Sequence, residues 1–439
     1  MKLFSGNMIA QGMSLLLAPV LSRLYSPDDF GLVALYLSIF SVMSVVSTAK
    51  YEQAIMLPKS NRDAMAIVWL VLGITIVVTL ITLITTVLFN RPLANMTGNP
   101  ALAPWLYFLP LSLLLHGIHQ SATFYANRNK HFGLIARSTI WQYSLLNGTR
   151  LVAAWFKAAF NGLIAGQIMA QLTAAIYMTA GIWKPMKATL TSSGSSLAPD
   201  PSKKDSTADH NRIIPDRTSI LKQAKYYSGY PKFNMPLNFT NNLSGSLPVF
   251  MLTWGFSPAI AGLYAFGFTF VFRPIGLFSQ STLQVLSQKV IEDHHHKKHI
   301  YPSLKKLAGR FFLLAIIPVL ALAIWAPTLF SIVFSDEYAM AGTILQYLSP
   351  YLLMVFITSP LSFIPELFFR QKKAMVIDII YLLLRFLALG AGIAANNLTL
   401  AIALFSLCST LVVGYNLFWY LSLAKAGDKQ TAPLTNNNP

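Results

Sequence analysis

Twelve apolar runs, each 20 residues or longer, decide what this chain of 439 residues can become. They lie near 3–24, 30–49, 64–89, 102–127, 133–156, 160–182, 230–254, 258–288, 306–334, 342–369, 374–395 and 398–424. A helix rises about 1.5 Å per residue, so about 20 residues cross a hydrocarbon core of about 30 Å. Only 11% of the residues are charged and 54% are hydrophobic. A soluble domain carries about a quarter charged residues. No run shows the ten-residue alternation of a membrane barrel. The expected class is therefore an all-α integral membrane protein with about 12 transmembrane helices. The first run contains Gln11 and Ser14, leads to Arg23 and shows no small-residue cleavage site, so it reads as a span. Cys408 is the lone cysteine, which excludes an internal disulfide framework.

Charge supplies the orientation. The connections 50–63, 128–132, 183–229, 289–310 and 370–373, with both termini, hold 25 of the 33 Lys and Arg residues. The alternate connections hold two, Arg91 and Lys157. Basic residues accumulate in cytoplasmic loops, so both termini are expected in the cytoplasm. The formal net charge of +18 thus follows one membrane face, which makes a nucleic-acid surface the weaker reading.

Residues 187–222 form the only long break, dominated by Ser, Thr, Asp, Pro and Lys, and are expected to be a disordered cytoplasmic linker. It separates a six-helix lobe at 1–186 from a second at 223–425, followed by a cytoplasmic tail at 426–439. The halves share a signature. Ser26-Pro27-Asp28-Asp29-Phe30-Gly31-Leu32 returns 231 positions later as Ser257-Pro258-Ala259-Ile260-Ala261-Gly262-Leu263. In the fourth helix of each half, Pro110 and Pro350 lie mid-segment and a basic corner follows. Six helices per half make this a parallel repeat.

Polar residues inside spans are costly in lipid and mark candidate sites. Asn234, Asn238, Asn241 and Gly245 share one helical stripe; Arg273, Gln280, Gln284 and Ser287 form another, and Asn7, Gln11, Ser14 and Ala18 a third. Two readings compete: a shared polar cavity between the halves, or ordinary interhelical hydrogen bonding. The cations favour a cavity. Arg273 and Arg385 lie deep, with no acid within one turn, and guanidinium grips phosphate in two-pronged fashion. Asp378 shares a face with Arg385 but sits about 10 Å of helical rise away. Arg23 points away from Asn7 on an ideal helix unless the Pro19 kink redirects it.

Other features carry less. His294, His295, His296 and His299 share a basic loop and read as solvated rather than metal-binding; His116 and His119 read as core hydrogen-bonding groups. No Gly-x-x-x-x-Gly-Lys-Ser/Thr phosphate loop occurs, and the outer connections leave no room for an enzyme domain. No cofactor, metal or catalytic group is expected.

Leu21-Ser22-Arg23-Leu24-Tyr25-Ser26-Pro27 and Tyr51-Glu52-Gln53-Ala54-Ile55-Met56-Leu57-Pro58 in the first half, with Lys225-Tyr226-Tyr227-Ser228-Gly229-Tyr230-Pro231, Leu247-Pro248-Val249, Arg273 and Gln284-Val285 in the second, resemble the polysaccharide flippases. These export O-antigen and capsule repeat units and belong to the multidrug, oligosaccharidyl-lipid and polysaccharide exporter superfamily. The resemblance implies two six-helix lobes in a bacterial inner membrane and a transported undecaprenyl-diphosphate-linked oligosaccharide. It further implies alternating access, with a polysaccharide polymerase and glycosyltransferases as candidate partners in lipopolysaccharide assembly. In the related lipid II flippases an arginine at the end of helix 1 and one in helix 8 line the cavity; Arg23 and Arg273 match them. The expected substrate-binding set is Arg23, Arg273, Arg385, Asn238, Asn241, Gln280, Gln284, Asn7 and Gln11. A drug or cation antiporter of the same superfamily ranks second and a membrane-embedded polymerase third. An antiporter calls for carboxylates in its cavity, and a polymerase for a large outer loop.

Overall fold

The computed structural model describes residues 2–156, 161–192, 216–296 and 298–431. The helices are α1 Lys2–Leu24, α2 Pro27–Thr48, α3 Asn61–Met96, α4 Ala103–Leu106, α5 Leu109–Arg128, α6 Phe132–Trp155, α7 Gly162–Ser192 and α8 Arg217–Tyr226. They continue as α9 Met235–Gly255, α10 Pro258–His295, α11 Tyr301–Val333, α12 Ala339–Thr358, α13 Ile364–Leu367, α14 Gln371–Ala394 and α15 Leu398–Thr431. Among the described residues there is no strand.

Each of the twelve apolar runs falls on helix, but not all are apolar enough to count alone. Among the described residues, eight helices are long and apolar enough to cross a membrane, nine if the bent pair Pro100–Leu106 and Leu109–Arg128 is one span. The bend between that pair is 51° and places Pro110 in the first turn of α5, whereas Pro350 does lie inside α12. In α1 the described side chains form an apolar stretch at Met8–Leu24, and α6 and α9 are not among the eight. Polar side chains dilute α6 and α9, and α1 and α9 carry two of the amide stripes. The linker is shorter than expected at its edges: 187–192 complete α7 and 217–222 open α8, while 193–215 lie outside the described residues. Residues 432–439 of the tail and Lys157 also lie outside them.

The repeated Ser-Pro signature encodes a helix start. Pro27 stands at the first position of α2, where a missing N–H costs nothing. The Asp29 N–H donates to Ser26 Oγ (3.3 Å), and the Ser26 N–H donates back to Asp29 Oδ2 (3.1 Å), a reciprocal cap. In the second copy the Ile260 N–H donates to Ser257 Oγ (3.2 Å) ahead of α10.

The chain forms two compact units, one of 1–17 with 32–246 and one of 18–31 with 247–439. Helices α1 and α9, each with an internal proline at Pro19 and Pro248, therefore contribute to both.

In the first unit, hydroxyls and amides join neighbouring helices. The Tyr36 and Ser112 hydroxyls lie 2.7 Å apart, Thr75 Oγ1 donates to Ser47 O (3.0 Å), and Asn147 Nδ2 donates to Ser14 Oγ (3.0 Å). Asn242 Nδ2 reaches Ser41 O at 2.9 Å. The turn between α2 and α3 is latched by Arg128, whose guanidinium donates to the carbonyls of Met56 (3.3 Å) and Lys59 (3.4 Å). A core of Tyr51, Ile55, Met65, Ile67, Tyr125 and Met178 lies beneath it.

In the second unit, aromatic rings from the ends of several helices interlock: Phe30, Phe266, Phe270, Phe330, Phe334 and Tyr338. The Tyr338 hydroxyl donates to Tyr25 O at 2.7 Å. Pro327 inside α11 has no N–H to give the Ala323 carbonyl, and Gln346 of α12 supplies the missing donor at 3.1 Å. Asp428 of α15 caps α11 from a distance, accepting from the N–H groups of Ile300 (2.8 Å) and Tyr301 (2.9 Å).

Candidate functional site

Arg273 stands in the middle of α10, immediately before Pro274. It is half-buried, and among the described residues no hydrogen-bond or ion-pair partner meets its guanidinium. Pro274 brings no N–H to the Phe270 carbonyl, so α10 also lacks one of its own bonds in this turn. One turn before Arg273, the Phe270 ring packs at 4.9 Å against Phe334. The carbonyl of that same Phe334 accepts from Nε of Arg23 at 3.3 Å. Phe334 caps the C-terminal end of α11, where a helix presents partial negative charge. Arg23 is otherwise exposed. The two arginines of the sequence signature thus belong to one unit, where Phe334 joins Arg23 to the ring of Phe270, one turn before Arg273.

Arg385 has a different setting. It is 7% exposed, and its guanidinium carbon lies 3.8 Å from the Tyr381 ring centroid and 5.2 Å from that of Phe405. Its Nη2 donates to the Tyr351 hydroxyl (2.9 Å) and to the Tyr381 hydroxyl. An aromatic box with phenol acceptors holds the cation. The residues forming the box were missed in the sequence, although Tyr381 precedes Arg385 by one helical turn.

The amide stripes separate likewise. On α9, Asn241 and Gly245 are exposed, and a Cβ added at Gly245 would meet nothing within 4 Å. Asn238 is half-buried and donates to Asn234 O at 2.8 Å, one turn back in the chain. The neighbouring face carries the interhelical bonds, through Asn242 and through Ser246, whose Oγ donates to Ser38 O at 3.4 Å. On α1, Gln11 is half-buried and without a partner among the described residues, whereas Ser14 is buried and bonded to Asn147. The side chains of Asn7, Gln280 and Gln284 lie outside the described residues.

Glu52, counted as part of a connecting loop in the sequence, is a buried carboxylate whose Oε1 lies 3.6 Å from Lys50 Nζ. Lys50 holds a left-handed backbone, φ 60°, to make that turn. Among the described residues no group of three His, Cys, Asp or Glu side chains is placed to hold a metal.

Residues 20–194 match the family model described as a polysaccharide biosynthesis protein. No match was found among curated proteins. In fold, 98% of the chain aligns with 91% of the lipid II flippase MurJ in an inward closed conformation, at 14% identity and a TM-score of 0.71. It aligns equally far with an inward-facing multidrug resistance MATE transporter of the MOP superfamily, over 96% of that chain, at 10% identity and a TM-score of 0.67. A MOP superfamily transporter from Pyrococcus furiosus, described by the reverse polarity of its binding pocket, aligns at 11% identity and a TM-score of 0.55 over 97% of this chain and 94% of its own. The chain thus resembles a polysaccharide biosynthesis family over residues 20–194, and its fold is that of the MurJ and MATE structures.

Proposed function

We propose that this protein flips a polyprenyl-diphosphate-linked oligosaccharide across the bacterial inner membrane, for assembly of a surface polysaccharide such as lipopolysaccharide O-antigen. The observation that carries the reading is Arg273, a cation in a predicted span with no partner among the described residues. A fixed, always-charged fork in low dielectric calls for an anion, and a diphosphate has the matching geometry. Arg23 adds a second cation in the same unit. The exposed amide of Asn241 and the open space at Gly245, with Asn238 and Gln11 beside them in sequence pattern, suit sugar hydroxyls. Arg385, already satisfied by two phenols, is better suited to holding α14 in place than to meeting substrate.

In this account the isoprenoid tail stays in lipid while head group and sugars cross on the polar faces, exposed to one side and then the other. With both termini cytoplasmic, the membrane potential favours outward movement of negative charge, by about 2.3 kcal/mol per charge per 100 mV. Glycosyltransferases supply the substrate and a polymerase consumes it; the chain itself catalyses no covalent step. Removing the protein should leave the completed lipid-linked unit on the inner leaflet, read by its protection from an impermeant periplasmic glycosidase. Full accessibility of that unit in cells lacking the protein would contradict the reading.

One observation favours a second reading, export of drugs by an antiporter: the fold likeness to the multidrug transporter nearly equals that to the lipid II flippase. Export of a cationic dye by the purified, reconstituted chain would decide for it.

A further inference from the structure

Helix α8 has two unlike sides. One side is bolted to the first unit: Gln223 Nε2 donates to Asp63 Oδ1 at 2.7 Å, and the Tyr51 hydroxyl donates to Ala224 O at 2.9 Å. Burial raises the Tyr51 phenol above its ordinary pKa, so this donor keeps its proton. The other side, about half the circumference, presents Arg217, Leu221, Lys222, Lys225 and Tyr226. Leu221 is 58% exposed and Tyr226 78% exposed. Three cations and two large apolar groups share this surface with Thr218, whose hydroxyl donates to the exposed Asp216 that precedes the helix. The helix is placed where the chain twice enters apolar sequence. Its anchor, Asp63, stands in the first turn of the long spanning helix α3, and its C-terminal end precedes α9 by one π-helical stretch, Tyr230–Asn234.

We propose that α8 is an interfacial helix that binds the anionic phosphate head groups of the leaflet it lies against. Leu221 and Tyr226 enter the boundary between head groups and acyl chains, and Arg217, Lys222 and Lys225 take the phosphates. The charge arrangement commits the surface to lipid: an amphipathic helix with a basic polar side and apolar anchors is held by buried apolar area and by anionic lipid together. Because residues 227–234 alone join α8 to α9, which carries Asn238 and Asn241, lipid bound here sets the position of those amides. That last consequence rests on the transport reading; the binding itself does not.

The test uses the full chain in detergent, titrated with short-chain phosphatidylglycerol, with hydrogen exchange of amides 217–226 as the readout. Phosphatidylglycerol should slow exchange there, while phosphatidylcholine of the same chain length and inorganic phosphate should not. Each cation near a lipid surface contributes about fivefold in affinity, so Lys222→Gln with Lys225→Gln should weaken the effect by roughly 25-fold. The matching pair Lys222→Arg with Lys225→Arg should retain it, which separates lost charge from lost folding. Equal protection by phosphatidylcholine, protection by inorganic phosphate, or an unchanged affinity in the glutamine pair would each overturn the proposal. Transport is not read in this experiment, so its outcome stands apart from that of the flippase reading.

Discussion

Gly31 and Gly262 meet so closely that a methyl group on Gly262 would lie 2.5 Å from the Gly31 nitrogen. The contact is reciprocal. A Cβ on Gly31 would collide with the Pro258 carbonyl, and one on Gly262 with the Pro27 carbonyl. These four residues are related by the same 231-position offset as the Ser-Pro signature. The two copies of the repeat thus pack turn against turn, and glycine stands where each helix backbone touches the other.

Gly262→Ala should therefore destabilise the protein. Both neighbours are backbone, which cannot rotate away, and overpacking of this kind costs typically about 1–3 kcal/mol. Thermal unfolding in detergent should show a lowered midpoint for Gly262→Ala and Gly31→Ala. Gly276→Ala on the same helix α10, where a Cβ meets nothing within 4 Å, is the control and should be neutral.

Asp428→Ala should loosen the start of α11. The carboxylate satisfies two N–H groups at a helix N-terminus, where negative charge is also favoured, and such caps contribute about 0.5–2 kcal/mol. Faster hydrogen exchange of amides 300–304 is the expected result. Asp428→Asn should fall between, because an amide oxygen accepts but carries no charge.

Arg385→Ala should lower the amount of folded protein rather than the transport of each molecule. Two phenols would lose a charge-assisted hydrogen bond from the guanidinium, at a cost of about 1.5–3 kcal/mol each. Arg385→Lys should recover only part, since a lysine cannot reach both hydroxyls while stacking on the Tyr381 ring. Membrane abundance measured beside export reads the two effects apart.

Much of this architecture was legible in the chain. Apolar length marked where the long helices lie, and the Ser-Pro spacing marked where α2 and α10 begin, because capping is local and needs no knowledge of the fold. Arg273 also stood out, since a cation without a nearby acid in an apolar run is visible in one dimension. The settings of the other arginines were not. Arg385 is satisfied by Tyr351 and Phe405, residues on other helices, and Arg23 by a backbone carbonyl 311 positions away. Backbone acceptors leave no trace in residue types. For the same reason Ser14 looked like part of a polar stripe, when Asn147 of α6 already occupies it. Helix α8 was hidden inside a polar stretch, because a ten-residue helix held by a few side-chain bolts has too little apolar pattern to announce itself.

The central claim is that Arg273 holds the anionic head group of a transported lipid, and Arg273→Ala tests it most directly. Losing a charge-assisted hydrogen bond costs about 1.5–3 kcal/mol, a ten- to hundredfold loss in binding. The account predicts normal membrane abundance of the variant, export of lipid-linked oligosaccharide reduced by that order, and partial recovery in Arg273→Lys, which keeps charge without the fork. Surface polysaccharide and protein abundance, measured together in the same cells, give the result. Undiminished export from a stable Arg273→Ala protein would contradict it.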